Sequence, residues 1–202
     1  MRPMNWQEYV SLLAFCAAMS FSPGPNTMLA TALAANHGWR RALKFCFAVP
    51  AGWTVLMLAC GLGLGALVVQ WPTLNWAIKL MGAAYMLWLA SKLLGTRQMA
   101  QADADKLDVG FWQGAALQFV NIKAWLLALT LTAGWITPGP NQPLRLLIVC
   151  AIMLCVAFCS NFSYALMGSM LRQWLSIGQR LLWFNRSMAA VLAATMLWML
   201  TL

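Results

Sequence analysis

The sequence predicts an all-α membrane protein: six transmembrane helices as a 3+3 inverted repeat, with broken helices in spans 1 and 4. Three observations predict it. The 202-residue chain is 62% hydrophobic and only 8% charged, whereas soluble domains carry roughly 25% charged residues. Six apolar stretches are long enough for a helix to cross a bilayer, which takes roughly 20 residues. They lie at about 9–35, 45–69, 74–95, 111–136, 145–169 and 181–202. Lysine and arginine concentrate in alternate connections between them, as topology determinants do.

The first span carries Ser22-Pro23-Gly24-Pro25-Asn26. Each proline removes a backbone donor and clashes with the preceding turn, and glycine loosens the chain, so the helix must break. Hydrocarbon cannot satisfy the freed N–H and C=O groups, so the break must be buried in protein or line a wet cavity. Broken helices of this kind mark substrate sites in secondary transporters. The half-helix beginning near Asn26 would present free N–H groups and a positive dipole end, suited to a carboxylate. The second span contains Gly61, Gly63 and Gly65, small residues that let helices approach closely or loosen the helix end.

The connections set the orientation. Loop 36–44 holds Arg40, Arg41 and Lys44, beside His37; the connection around Gln70–Thr73 holds no charge. Loop 96–110 carries Arg97 and Lys106, and the connection 137–144 carries none. The last, 170–180, holds Arg172 and Arg180. The positive-inside rule makes loops one, three and five cytoplasmic and both termini periplasmic. Glu8 and Lys79 fall near membrane ends. A net charge of +9, placed in short loops against anionic lipid, points to the bilayer as partner and not to nucleic acid.

Loop 96–110, with Asp103, Asp105 and Asp108, is the one long polar connection and reads as a solvated linker between two halves, or else as a gate or regulatory contact. It divides a single domain, 1–202, into half-repeats of about 1–95 and 111–202. Three spans per half is an odd number, so the second half enters from the opposite side, the arithmetic of an inverted repeat. The fourth span should then carry its own irregularity. Gln118-Phe119-Val120-Asn121-Ile122-Lys123 is the candidate. A second Pro-Gly-Pro-Asn, at Pro138–Asn141, falls between spans and reads as ordinary turn chemistry.

Lys123 is the sharpest single residue. It lies roughly 18 Å along the fourth span from Phe111, at 1.5 Å per residue, which is near mid-membrane. A charge at that depth is costly and marks a site; it would hold a substrate carboxylate, or bond the carbonyls freed by a helix break. Asn26, Gln118 and Asn121 fall near the same depth. Their amides both donate and accept, serving a substrate or gluing helices together. Asn161, with Ser160, Ser163 and Tyr164, adds a polar cluster to the fifth span. The candidate site is therefore Pro23, Gly24, Pro25, Asn26, Gln118, Asn121, Lys123 and Asn161.

Other chemistry finds little support. The six cysteines lie in apolar spans with no CxxC pair, and read as small buried hydrophobes. No cofactor or metal is implied. No Asp or Glu lies deep in any span, which leaves proton antiport and facilitated efflux both open. Hydrolytic chemistry needs a nucleophile with a base, or a metal, so an enzyme is disfavoured. A thiol–disulfide electron carrier would need a reactive cysteine in each half, and span 111–136 has none. Arg2 and the first apolar run suggest a signal peptide, but Glu8 interrupts it and no A-x-A site follows; the first helix is expected to stay. A chain this small and hydrophobic is compatible with a homodimer, and no interface is assigned.

Taken together, these residues resemble the RhtB/LysE family of bacterial amino-acid exporters, over nearly the whole chain. The resemblance is carried by Ser22–Asn26 and His37-Gly38, and by Gly82-Ala83-Ala84-Tyr85-Met86-Leu87-Trp88-Leu89-Ala90 with Lys92. It continues in Phe111-Trp112, Phe119–Lys123 and the run from Asn161 to Gly168. It implies an inner-membrane exporter of amino acids or their derivatives. Many members have Asn-Pro-Lys in the fourth span where this chain has Asn121-Ile122-Lys123, so the break there should be milder or depend on Asn121. The run Ala116 to Asn121, with Lys123, is similar to the cysteine and O-acetylserine exporter branch.

Overall fold

The computed structural model describes residues 4–95, 109–136 and 138–200. They form ten helices and no strand: α1 (Trp6–Phe21), α2 (Pro25–His37), α3 (Trp39–Gly61), α4 (Leu64–Gln70), α5 (Pro72–Gly95), α6 (Phe111–Val120), α7 (Ile122–Trp135), α8 (Gln142–Met170), α9 (Arg172–Leu175) and α10 (Arg180–Leu200).

The local sequence accounts for the ends. Asn5 caps α1: its side chain accepts from the Glu8 N–H at 2.8 Å, and Glu8 returns a bond from the Asn5 N–H at 2.8 Å, closing a capping box. The prolines and glycine at 23–25 stop α1, and Pro25 opens α2 at a position where its missing N–H costs nothing. At the second irregularity a single extended residue, Asn121, separates α6 from α7, and the two helices bend by 67°. The break thus occurs without the proline and depends on Asn121.

Four helices, α3, α5, α8 and α10, are long and apolar enough to cross a membrane, and the bent pair α6–α7 makes a fifth candidate. With 16 and 13 residues, α1 and α2 are each short of a full crossing.

Several expected boundaries move. Arg40, Arg41 and Lys44 are not in a loop; Gly38 at φ 85° makes the whole turn, and α3 begins at Trp39. The stretch 45–69 is not one helix: Gly63 adopts φ 105° and starts the short α4. Within 170–180 lies the four-residue α9. The second Pro-Gly-Pro-Asn is the expected turn, with Gly139 at φ 143° and the Gln142 N–H bonded to the Gly139 carbonyl at 3.0 Å. Residues 96–108 of the expected linker lie outside the described residues.

Packing is organised by two large apolar cores separated by a polar layer, with a small third cluster of Ala35, Leu175 and Leu181. One gathers Leu29 of α2, Phe45 and Val49 of α3, Met86 of α5, Leu117 of α6, Ala165 of α8 and Leu192 of α10. The other gathers Leu12 of α1, Trp53 and Leu56 of α3, Leu131 of α7, and Val149 and Met153 of α8. The long helices α3 and α8 run through both. Each broken pair is divided between them: α1 and α7 belong to one core, α2 and α6 to the other. Helices approach closely where glycine permits it. Gly52 of α3 rests on the Ala115 backbone of α6, Gly168 of α8 on the Thr31 backbone of α2, and Gly82 of α5 on the Val120 carbonyl. Of the six cysteines, Cys16, Cys46, Cys60 and Cys150 are buried as expected, whereas Cys155 and Cys159 are exposed on α8.

One end is tied by charge. Arg145 at the start of α8 pairs with Glu8 at 3.0 Å and also donates to the Trp135 carbonyl at 3.2 Å; the Trp135 indole donates to the Glu8 carbonyl at 3.1 Å. Glu8 lies one residue ahead of the first expected span. The bonds from Arg145 and from the Asn5 N–H hold its carboxyl below the ordinary value of 4.5. A lowered folded value means that the pair adds stability above pH 4.5 and loses it as pH falls through that lower value. Replacing Glu8 with Gln is therefore expected to lower the melting temperature at pH 7 and flatten the acid side of its pH dependence. Thermal unfolding of the purified protein between pH 3 and pH 7, roughly the range over which a carboxylate titrates, checks this.

Candidate functional site

The two breaks meet in the polar layer, and the chain accounts for their backbone groups one by one. A helix leaves its last four carbonyls without intrahelical partners. At the end of α1 every one is taken. The Ala18 carbonyl accepts from the Ser22 N–H at 3.1 Å and Met19 from the Ser22 hydroxyl at 2.8 Å. The Ser20 carbonyl accepts from the Ser160 hydroxyl at 2.6 Å and Phe21 from the Tyr164 hydroxyl at 2.9 Å. One residue further, the Ser22 carbonyl accepts from the Lys123 ammonium at 2.9 Å, and the Ser22 hydroxyl accepts from it at 2.7 Å. Lys123 thus plugs the first break from the first turn of α7. Of the two roles open to it in the sequence, bonding freed carbonyls is the one this geometry displays.

The second break is held in similar fashion. The Asn121 side chain accepts from the Lys123 N–H at 3.1 Å and caps α7. The Trp125 indole donates to the Phe119 carbonyl at 2.8 Å, and the Trp53 indole of α3 to the Ala124 carbonyl at 3.3 Å. The breaks are joined by a two-way amide pair. Asn26 donates to Gln118 at 2.9 Å, and Gln118 donates back to Asn26 at 3.2 Å. Gln118 and Asn121 are buried, with 0% and 2% exposure.

These groups surround a cleft at the junction of the two breaks. Gly24, Pro25, Asn26, Gln118, Asn121, Lys123 and Asn161 line it. Pro23 lies in the break but outside the lining. Seven of the eight residues expected from the sequence therefore converge. The lining adds Met19, Ser20, Ser22, Thr27, Val49, Trp53, Ala124, Leu127, Met153 and Ala157, which the sequence does not single out. Ser22 was present in the motif itself; the apolar members gave no signal that separates them from core. The lining contains one cation, Lys123, and no carboxylate.

The first turn of α2 offers the N–H groups of Asn26 and Thr27, which have no intrahelical acceptor by position. Pro25 has no N–H, and the Gly24 N–H is bonded to the Thr27 hydroxyl at 3.0 Å. Chemically, the cleft offers backbone and ammonium donors, an amide on α8 and apolar side chains.

A family profile described as "LysE type translocator" matches residues 17–200. A cysteine/O-acetylserine efflux protein of Klebsiella pneumoniae is 30% identical over 174 residues, covering 86% of this chain and 88% of that protein. One from Salmonella typhimurium is 34% identical over 156 residues, covering 76% and 78%. One from Escherichia coli O1:K1 / APEC is 28% identical over 158 residues, covering 76% and 78%. No solved structure matches the chain.

Proposed function

The chain belongs to the LysE-type translocator family, and from that premise we propose that it exports small neutral amino acids or their derivatives across a bacterial inner membrane. The relatives that are cysteine/O-acetylserine efflux proteins favour that substrate type over a homoserine or threonine type. The observation that carries the reading is the cleft where the two breaks meet. A cavity at the junction of two discontinuous helices is where secondary transporters bind their cargo, and its polar lining suits an amino acid.

The substrate-binding or gating residues proposed are Pro23, Gly24, Pro25, Asn26, Gln118, Asn121, Lys123 and Asn161. The six-span 3+3 arrangement is supported by how the cores divide: α1 then α2 pass from one core to the other, and α6 then α7 pass back. With that symmetry, alternating access follows from one half rocking against the other around the cleft. The orientation with both termini periplasmic is supported by the alternating basic residues. Basic side chains also stack on tryptophans at both ends of the helices, Arg40 on Trp39, Lys79 on Trp76, Lys92 on Trp88, Arg180 on Trp174 and Arg186 on Trp183, at 4.8–5.5 Å, in keeping with belts at both interfaces. The exposed apolar faces of α4, α5 and α10 are read as lipid-facing, with a homodimer compatible with them. Nothing favours the thiol–disulfide carrier, because no cysteine lines the cleft.

An efflux panel tests the function. Cells expressing the chain and loaded with dipeptides of each amino acid are expected to release cysteine or a similarly small neutral amino acid well above an empty-vector control. Release equal to that control across the whole panel, with membrane insertion verified, sinks the proposal.

A further inference from the structure

We propose that the side-chain oxygen of Asn161 is the acceptor for the α-ammonium group of the transported molecule, and that the cleft selects zwitterions with a short uncharged side chain. The assignment takes its ligand from the exporter reading above.

It follows from counting acceptors in the cleft. Among the other polar side chains lining it, the amide oxygens and the Thr27 and Ser22 hydroxyls already accept a bond, while the half-buried Ser20 hydroxyl donates to Met153 Sδ at 4.0 Å and is a weaker acceptor than an amide oxygen. The Asn26 and Gln118 oxygens are used by each other, the Asn121 oxygen by the Lys123 N–H, and the Thr27 and Ser22 hydroxyls by the Gly24 N–H and the Lys123 ammonium. The Ser20 and Ser22 carbonyls are taken by Ser160 and Lys123. Asn161 is 4% exposed, lines the cleft, and its Oδ1 has no partner. Its orientation is fixed, because Nδ2 donates to the Ala157 carbonyl at 2.8 Å; turning the amide over would set oxygen against oxygen. A buried acceptor left unpaired is unfavourable, and an asparagine that only joined helices would have its partner within the protein.

The donors complete the picture. Lys123 carries three N–H donors and spends two on Ser22. The third, with the first-turn N–H groups of α2, is the place for a carboxylate. The apolar part of the lining, with Met19, Val49, Trp53, Leu127 and Met153, is a wall for an uncharged side chain. A second positive charge, as on lysine or arginine, would find no carboxylate in the lining.

The test uses the full chain in nanodiscs and proteoliposomes, with L-cysteine, O-acetyl-L-serine and 3-sulfanylpropanoate, which is L-cysteine without its amine. Ligand-induced thermal shifts give the half-saturating concentrations, and counterflow gives transport. The wild type is expected to prefer L-cysteine over 3-sulfanylpropanoate by about tenfold or more, the worth of a hydrogen bond to a charged group. Asn161→Leu is expected to cut that preference to about twofold or less, chiefly through weaker L-cysteine binding. Should Asn161→Leu fail to fold, Asn161→Ser serves. Its hydroxyl is consumed by the carbonyl four residues back, so the preference falls likewise. A preference unchanged in the folded variant overturns the assignment, as does a wild type that binds neither amino acid. Binding with an Asn161-dependent preference but no counterflow upholds the assignment and overturns the exporter reading instead.

Discussion

Replacing Lys123 with alanine is expected to reduce export to the level of cells lacking the protein. The side chain makes two charge-assisted bonds, to the Ser22 carbonyl at 2.9 Å and the Ser22 hydroxyl at 2.7 Å. Both fall at the point where α1 stops and its backbone has nowhere else to turn. Hydrogen bonds to charged groups contribute about 1.5–3 kcal/mol each. Because Lys123 is only half-buried, a total stability loss of about 2–3 kcal/mol is expected rather than the full sum. Arginine is not expected to rescue. Its planar fork is larger than an ammonium, and the Lys123 Nζ already lies only 3.2 Å from where a Cβ on Gly24 would stand. Amino-acid efflux and thermal unfolding of the purified variants check both expectations. Wild-type export by a well-expressed alanine variant removes Lys123 from the site.

The second large effect is expected at Gly168 and Gly52. A Cβ on Gly168 would collide with the Thr31 backbone, and one on Gly52 with the Ala115 backbone. Backbone in the middle of a packed helix cannot swing aside as a side chain can, so the helices must separate. Alanine at either position is expected to cost about 3 kcal/mol, the upper part of the range for overpacking, and to lower the yield of monodisperse protein. Gly134 of α7 is the control. A Cβ there meets nothing within 4 Å, so Gly134→Ala is expected to be neutral or to stabilise by up to about 1 kcal/mol through helix propensity. Equal melting temperatures for Gly168→Ala and Gly134→Ala would refute the close-approach account.

Much of this was legible in the residues. Pro23, Gly24 and Pro25 announce the first break together, whereas a lone proline, Pro50, sits inside α3 without ending it. Lys123, Asn121 and Gln118 announce the second, because polar groups in an apolar run need a reason. What stayed hidden is of two kinds. Pairings such as Lys123 with Ser22, or Asn36 with Asn185 at 2.9 Å, join residues far apart in sequence, and pattern alone cannot match a donor to its acceptor. Helix boundaries at glycine were equally hidden. Gly38 and Gly63 each stand immediately before a helix, yet Gly65 sits within α4, and the one-letter sequence is the same in each case. Backbone dihedral angle, not residue type, decides.

The first break also constrains how the chain is made. Its carbonyls are held by Lys123, Ser160 and Tyr164, which follow their partners by 101, 140 and 143 residues. At 5–20 residues per second, translation brings those donors on the order of 5–30 s after the break itself. Through that interval the Ser20, Phe21 and Ser22 carbonyls have no native partner, and bare lipid would charge several kcal/mol for each. The nascent first hairpin must therefore wait against water or an insertion machine until α7 and α8 arrive. A chain truncated after α5 should be an efficient substrate for membrane proteases.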